Sequence, residues 1–258
     1  YYTHCYFWGH TFSSTKKRIN KILSHAKTTN NKTLSQQLQL DIIHIQFLNG
    51  DHPKDMLEET QLMMKGKHVD QKIYMYLRIY EAFSLSFLER KKTLLSKNLI
   101  HHKDQSYKEK ENSDICLELL IKKSIAYFLL NKTRSEVLVK KALNKSKYCK
   151  KNHRFFELQF WSSVILSTSA ITKKRNPKEA KKIIKSTLRF FKQIKIKRNT
   201  FSILPYENTL KGIEKLLQNK REEGIKIFNQ TLKESEEMNH YWVQLCSKKL
   251  IKIANQLE

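Results

Sequence analysis

Apolar side chains return every third or fourth position along nearly the whole chain, the period of an α-helix packed on one side. The clearest stretch opens at Asn176: Asn176 suits a cap, Pro177 a first helical turn and Glu179 the third helical position. Ala180, Ile183, Ile184, Thr187, Leu188, Phe191 and Ile194 then fall along one face, and Lys178, Lys182, Lys185, Arg189 and Lys192 along another. The same reading predicts helices over 2–10, 15–27, 33–48, 54–65, 69–90, 92–101, 114–130, 134–149, 154–172, 177–195, 206–219, 221–237 and 240–256. Short connections, each holding Asn, Asp, Gly, Pro or Lys, set consecutive helices side by side and antiparallel. The segment His101–Asp114 is polar and lacks an apolar stripe, so it reads as a mobile loop. It divides an N-terminal helical region (1–100) from a C-terminal one (115–258).

Composition supports this all-α reading. Forty per cent of the 258 residues are hydrophobic, including 13 Phe, 11 Tyr and 3 Trp, which is ample for a core. With 5 Gly and 3 Pro the chain is short of the residues that many-stranded folds need at tight turns. Residues 155–172 carry one charge, Glu157, and approach the length of a membrane span. Eight of those 18 positions are nonetheless polar, so the stretch is expected to be a helix buried inside the protein. The four cysteines, Cys5, Cys116, Cys149 and Cys246, form no C-x-x-C pair. They fit an intracellular, reducing compartment in which each thiol is a small apolar filler. The first Met is Met56, which points to a piece, a processed chain or a part of something larger.

The C-terminal region carries an internal pattern. Gly212, Gly224, Phe228 and Thr231 are spaced 12, 4 and 3 apart, and Cys246 follows Gly212 by 34 residues, preceded by Trp242 and Leu245. This resembles the tetratricopeptide repeat, whose period is 34 and whose first helix has a Trp-x-x-Leu-Gly pattern. The resemblance covers about 205–250, with echoes at Ala180, Ile184 and Thr187 and at Ser135, Val139 and Ala142. It departs from the family at Asn208, Lys215 and Glu236, where an aromatic, a Tyr and a Pro are expected. It implies a TPR-like α-solenoid in which Ala180, Gly212, Gly224, Phe228 and Trp242 pack at helix crossings, with a concave groove open to other subunits. The run from Glu222 to Glu236 also looks like the helical-repeat tails of soluble nucleotide cyclases and large regulatory ATPases.

Candidate chemistry is sparse. No two glycines have P-loop spacing before a Lys, and G-x-G, H-E-x-x-H and G-x-S-x-G do not occur. His4, Cys5 and His10 do not share a helix face, and the adjacent His101 and His102 do not present both rings to one metal. No catalytic residue, cofactor or metal is therefore expected.

Charge is the remaining signal. The chain carries +26, of which residues 132–198 hold +18. The face Lys178, Lys182, Lys185, Arg189 and Lys192 is the expected site for an acidic partner: an acidic protein face, the acidic surface of a polymer, or RNA. Lys outnumbers Arg by 41 to 9, although Arg is the better residue for bidentate phosphate recognition. The expectation is a non-enzymatic scaffold within a larger assembly. The alternatives are an RNA-binding subunit of a ribonucleoprotein particle or the tail of a multidomain signalling enzyme.

Overall fold

The computed structural model describes residues 12–66, 69–89, 113–131, 133–147, 154–198 and 203–257. Among them lie eleven helices and no strand: α1 (Phe12–Thr28), α2 (Lys32–Asn49), α3 (Pro53–Met64), α4 (Gln71–Leu88), α5 (Ser113–Leu129), α6 (Ser135–Ser146), α7 (Arg154–Thr172), α8 (Lys178–Arg198), α9 (Leu204–Leu217), α10 (Arg221–Glu237) and α11 (Tyr241–Asn255). Each agrees with a predicted helix to within a few residues. The helices expected at 2–10 and 92–101 lie outside the described residues, as does all of the 101–114 loop except Ser113 and Asp114, which open α5.

The scarcity of glycine has a local explanation. A helix that reverses into its neighbour often ends on a residue in the left-handed region. Here that residue is Asn30, Asn131, Lys174, Asn219 or Asn239, with glycine at Gly50 (φ +84°). Five of these turns close with the same backbone bond, in which the next amide donates back to the last helical turn. The pairs are Asn31 to Ala26, Asp51 to Gln46, Arg175 to Ala170, Lys220 to Lys215 and His240 to Ser235, at 2.7–3.0 Å. Asn tolerates the left-handed region, so the turns need little glycine.

Every helix packs on its neighbours in sequence, and alternate helices also touch: α2 with α4, and α5 with α7, α7 with α9, and α9 with α11. Helix α11 additionally meets α5. The last described helix thereby reaches back to earlier ones. Trp242 of α11 is buried against Phe47 of α2 and against Phe83 and Phe87 of α4, with ring centroids 5.0–5.4 Å apart. One continuous core runs from Ile19 to Ala254. Trp242 and the three Phe rings fill the space between α2, α4 and α11.

The predicted crossings are close contacts. Ala180, Phe228 and Trp242 are buried, as are Gly212 and Gly224. A Cβ on Gly212 would overlap the Phe228 ring, and one on Gly224 would lie 2.8 Å from Leu216 Cδ2 and 3.1 Å from the Gly212 carbonyl oxygen. The departures from the repeat pattern are filled by polar pairs between helices. Asn208 donates to Glu234 at 3.0 Å, Lys215 pairs with Glu223 at 2.5 Å and Lys248 with Glu236 at 3.6 Å.

The long stretch with a single charge, Glu157, lies in α7. Its Ser162, Ser163, Ser167 and Thr168 are buried within the protein, and no helix among the described residues is long and apolar enough to cross a membrane. The cysteine expectation is corrected in part. Cys246 is buried, and desolvation pushes its thiol up to about 12, whereas Cys116 is exposed. Ile115 and Leu117 turn into the core on either side of Cys116, leaving it on the outer side of α5.

A buried hydrogen-bonded chain ties the C-terminal helices to the end of α2. Tyr206 Oη donates to the Leu48 carbonyl at 2.9 Å, His240 Nε2 meets Tyr206 Oη at 2.9 Å, and the Tyr241 amide donates to the Gly50 carbonyl at 2.8 Å. Since the tyrosine proton goes to Leu48, His240 donates from Nε2. Its Nδ1 then accepts from the Val243 amide and caps α11. A proton on Nδ1 would break that cap. Burial, the larger effect, lowers the His240 pKa to about 4, against an ordinary 6.5.

Two outcomes are expected. Gly224→Leu or Ala180→Leu lowers the melting temperature by several degrees through overpacking, measured by thermal circular dichroism. Between pH 6.5 and 4 the unfolded chain binds a proton at His240 that the folded chain does not, so stability falls as pH falls through that window. The loss approaches about 3 kcal/mol, and in urea titrations it is smaller in His240→Asn, which keeps a capping side chain.

Candidate functional site: a basic helix face and a buried ion cluster

Helix α8 is oriented by its apolar side. Ala180, Ile184, Thr187 and Phe191 are buried against the neighbouring helices α7 and α9. Phe191 stacks on Phe156 of α7 at 4.9 Å, and Thr187 Oγ1 lies 2.8 Å from Ser163 Oγ. At about 100° per residue the opposite side of the helix carries Lys178, Lys182, Lys185, Arg189 and Lys192 within an arc of about 80° and a length of about 21 Å. All five are exposed, and among the described residues none of them pairs with a carboxylate. Glu179 is the one acid on the helix. Among the described side chains, Phe156, Phe190 and Phe191 pack inward wholly or in part.

Basic face and repeat residues thus occupy separate places. Gly212, Gly224 and Phe228 meet at the α9–α10 crossing, Trp242 sits at the junction with α2 and α4, and Ala180 underlies the N-terminal turn of α8.

A second cluster escaped the sequence reading. Where α2, α4, α5 and α7 converge, the structure buries His44, Tyr80, Glu118, Lys122 and Glu157. The Lys122 ammonium lies 2.6 Å from Glu157 Oε1 and 3.4 Å from Glu118 Oε1, and all three side chains are at most 1% exposed. It also sits 3.2 Å from the centroid of the Phe47 ring, a cation–π contact that carries the cluster into the aromatic core. His44 Nδ1 is hydrogen-bonded to Tyr80 Oη. Ligand atoms of His44, Glu118 and Glu157 lie within 4.8 Å of one another, the donor set of a divalent metal site. The Lys122 ammonium already stands in the cation's place. The arrangement therefore acts as an internal ion pair that fixes how α5 and α7 meet.

Sequence signals for this cluster existed. Glu157 is the one charge in residues 155–172, and Glu118 and Lys122 are one helical turn apart in an otherwise apolar run. Nothing in the sequence brings His44 to them, because that contact depends on how α2 packs.

Lys122→Met would leave two carboxylates buried without their ammonium and is expected to cost about 3–5 kcal/mol in urea unfolding. Combining it with Glu118→Gln and Glu157→Gln is expected to restore most of that loss, and a single variant as stable as wild type would contradict the assignment.

Comparison of the chain with protein-family models, with curated proteins and with solved structures returns no match.

Proposed function

We propose that this protein is a non-catalytic scaffold, a TPR-like stack of helix pairs, that docks an acidic partner protein on the outer face of α8 as part of a larger assembly. The observation that carries the reading is the row of five exposed cations opposite the buried side of α8, none paired with a carboxylate among the described residues. Such a row raises the association rate and affinity for a polyanion in a salt-dependent way. An acidic protein is favoured over RNA because, among the described residues, Phe156 and Phe191 are buried and Phe190 half-buried, and these rings offer no platform for bases beside the charge. Four of the five cations are Lys, a point charge without Arg's bidentate fork.

Polyglutamate and polyuridylate, titrated over 0.05–0.2 M salt and followed by fluorescence anisotropy, test this reading. Polyglutamate is expected to bind, to weaken as salt rises, and to lose about tenfold or more in affinity when the five cations are changed together to Gln. These exposed substitutions leave the melting temperature nearly unchanged. Binding of polyuridylate alone, with a log–log salt slope near about −3 to −4, would replace the acidic-protein reading with the RNA one. Equal binding by wild type and the fivefold variant would remove α8 from the function.

A further inference from the structure

A cavity of about 290 Å³ opens where the α5–α6 turn, the C-terminal part of α7 and α11 meet. Its floor is apolar (Phe128, Ile165, Ile253) and its walls are rich in hydroxyls. Four features of the walls point to one ligand chemistry.

The first is positive charge in excess. Glu136, at the start of α6, is bonded to Lys140 at 2.8 Å, to Lys173 at 2.6 Å and to Arg175 at 2.8 Å, with Ser169 donating at 2.7 Å. Lys140, then Lys173 and Ser169, then Arg175 hold its carboxyl well below the usual carboxylate range, against the opposing effect of burial. Of these groups Glu136 and Lys173 line the cavity, so with Lys249 the lining holds two lysines against one carboxylate.

The second is Lys249 of α11, on the opposite wall. It donates to Asn131 Oδ1, and its ammonium lies 4.9 Å from the centroid of the Phe128 ring. Among the described residues it has no carboxylate partner. Burial holds its ammonium below the usual lysine range, a cost that an entering anion would relieve.

The third is the N-terminus of α6. Its cap residue, Arg134, makes no side-chain capping bond, and Thr133, Ser135 and Glu136 at this positive end of the helix line the cavity. The carbonyls at the C-terminal end of α7 are taken up by the amides of Lys173, Lys174 and Arg175.

The fourth is independent of charge. Thr168 lines the cavity at 4% exposure, and its Oγ1 has no hydrogen-bond partner. A buried hydroxyl left without a partner is costly unless something supplies one.

We infer that this cavity is a binding site for a small phosphate-bearing molecule, held by Lys249, Lys173, the Thr168 hydroxyl and the first turn of α6. The donors come from three elements, an arrangement that matches a tetrahedral oxyanion better than a planar carboxylate with two oxygens. The volume is near the lower limit of small-molecule sites, room for about ten waters. It suits free phosphate or a short phosphomonoester and is too small for a nucleotide. The site is separate from the cation row of α8.

Inorganic phosphate and glycerol 3-phosphate, titrated against chloride at matched ionic strength, are the probes, with the melting temperature and calorimetric Kd as readouts. Phosphate is expected to raise the melting temperature of the wild-type protein, and tighter binding of the ester than of free phosphate would identify a phosphomonoester as the ligand. Thr168→Val keeps the side-chain shape and removes the orphan hydroxyl. It is expected to fold at least as stably in chloride and to bind phosphate about tenfold more weakly. Lys249→Gln is expected to abolish binding, and the fivefold α8 variant to bind as wild type. The inference is overturned if phosphate shifts the melting temperature no more than chloride does. It is also overturned if Thr168→Val and Lys249→Gln bind as tightly as wild type, or if the α8 variant loses binding.

Discussion

The packing of Trp242 against Phe47, Phe83 and Phe87 is the contact on which the rest of the molecule depends. A stack of helix pairs held by neighbour contacts alone is quasi-one-dimensional. Burying a side chain of this size contributes about 4 kcal/mol, and here the burial joins the last helix to the second and fourth. The Tyr206–His240 chain and the Tyr241–Gly50 backbone bond close the same seam with directional bonds. Gly50 serves that seam twice. Its left-handed backbone ends α2, and its missing side chain leaves room for the His240 ring, which a Cβ there would overlap.

Closure also decides where the polar groups lie. Helices that converge on one centre bury whatever side chains point inward, and at the meeting of α2, α4, α5 and α7 those include Glu118, Lys122 and Glu157. A buried ion pair adds little net stability, but breaking one is expensive. The cluster therefore penalises arrangements of α5 and α7 that separate Lys122 from its carboxylates, and it favours one register over slipped ones. The contact of α11 with α5 brings Lys249 and Glu136 to the lining of one hydroxyl-rich cavity.

The proposed recognition uses an outer surface and that cavity. Helix α8 illustrates the division within a single element. Its apolar side is committed to α7 and α9, and the charge on its other side is free to face a partner. The two proposed sites differ in kind. One is a long cationic face proposed for a macromolecule, and the other is a small open pocket, lined by hydroxyls and two lysines, proposed for a small anion.

Helix content and most boundaries were legible in the sequence because they follow from local rules. Amphipathic period and an Asn or Gly after five of the described helices act within about ten residues of chain, and Gly212 and Phe228 are in close contact. The basic face was legible for the same reason: a cation every turn on one side of a helix whose other side is apolar must point outward. What spacing alone did not contain were contacts between distant segments. Trp242 reads as a repeat residue but packs on α2 and α4, and His44 joins Glu118 and Glu157 across three helices. The pocket needs Thr168 and Lys249 to arrive from separate elements. The sequence by itself determined which face of each helix seeks the interior; tertiary packing alone decided which interior faces meet, because burial rewards removal of apolar area from water without regard to the partner that removes it.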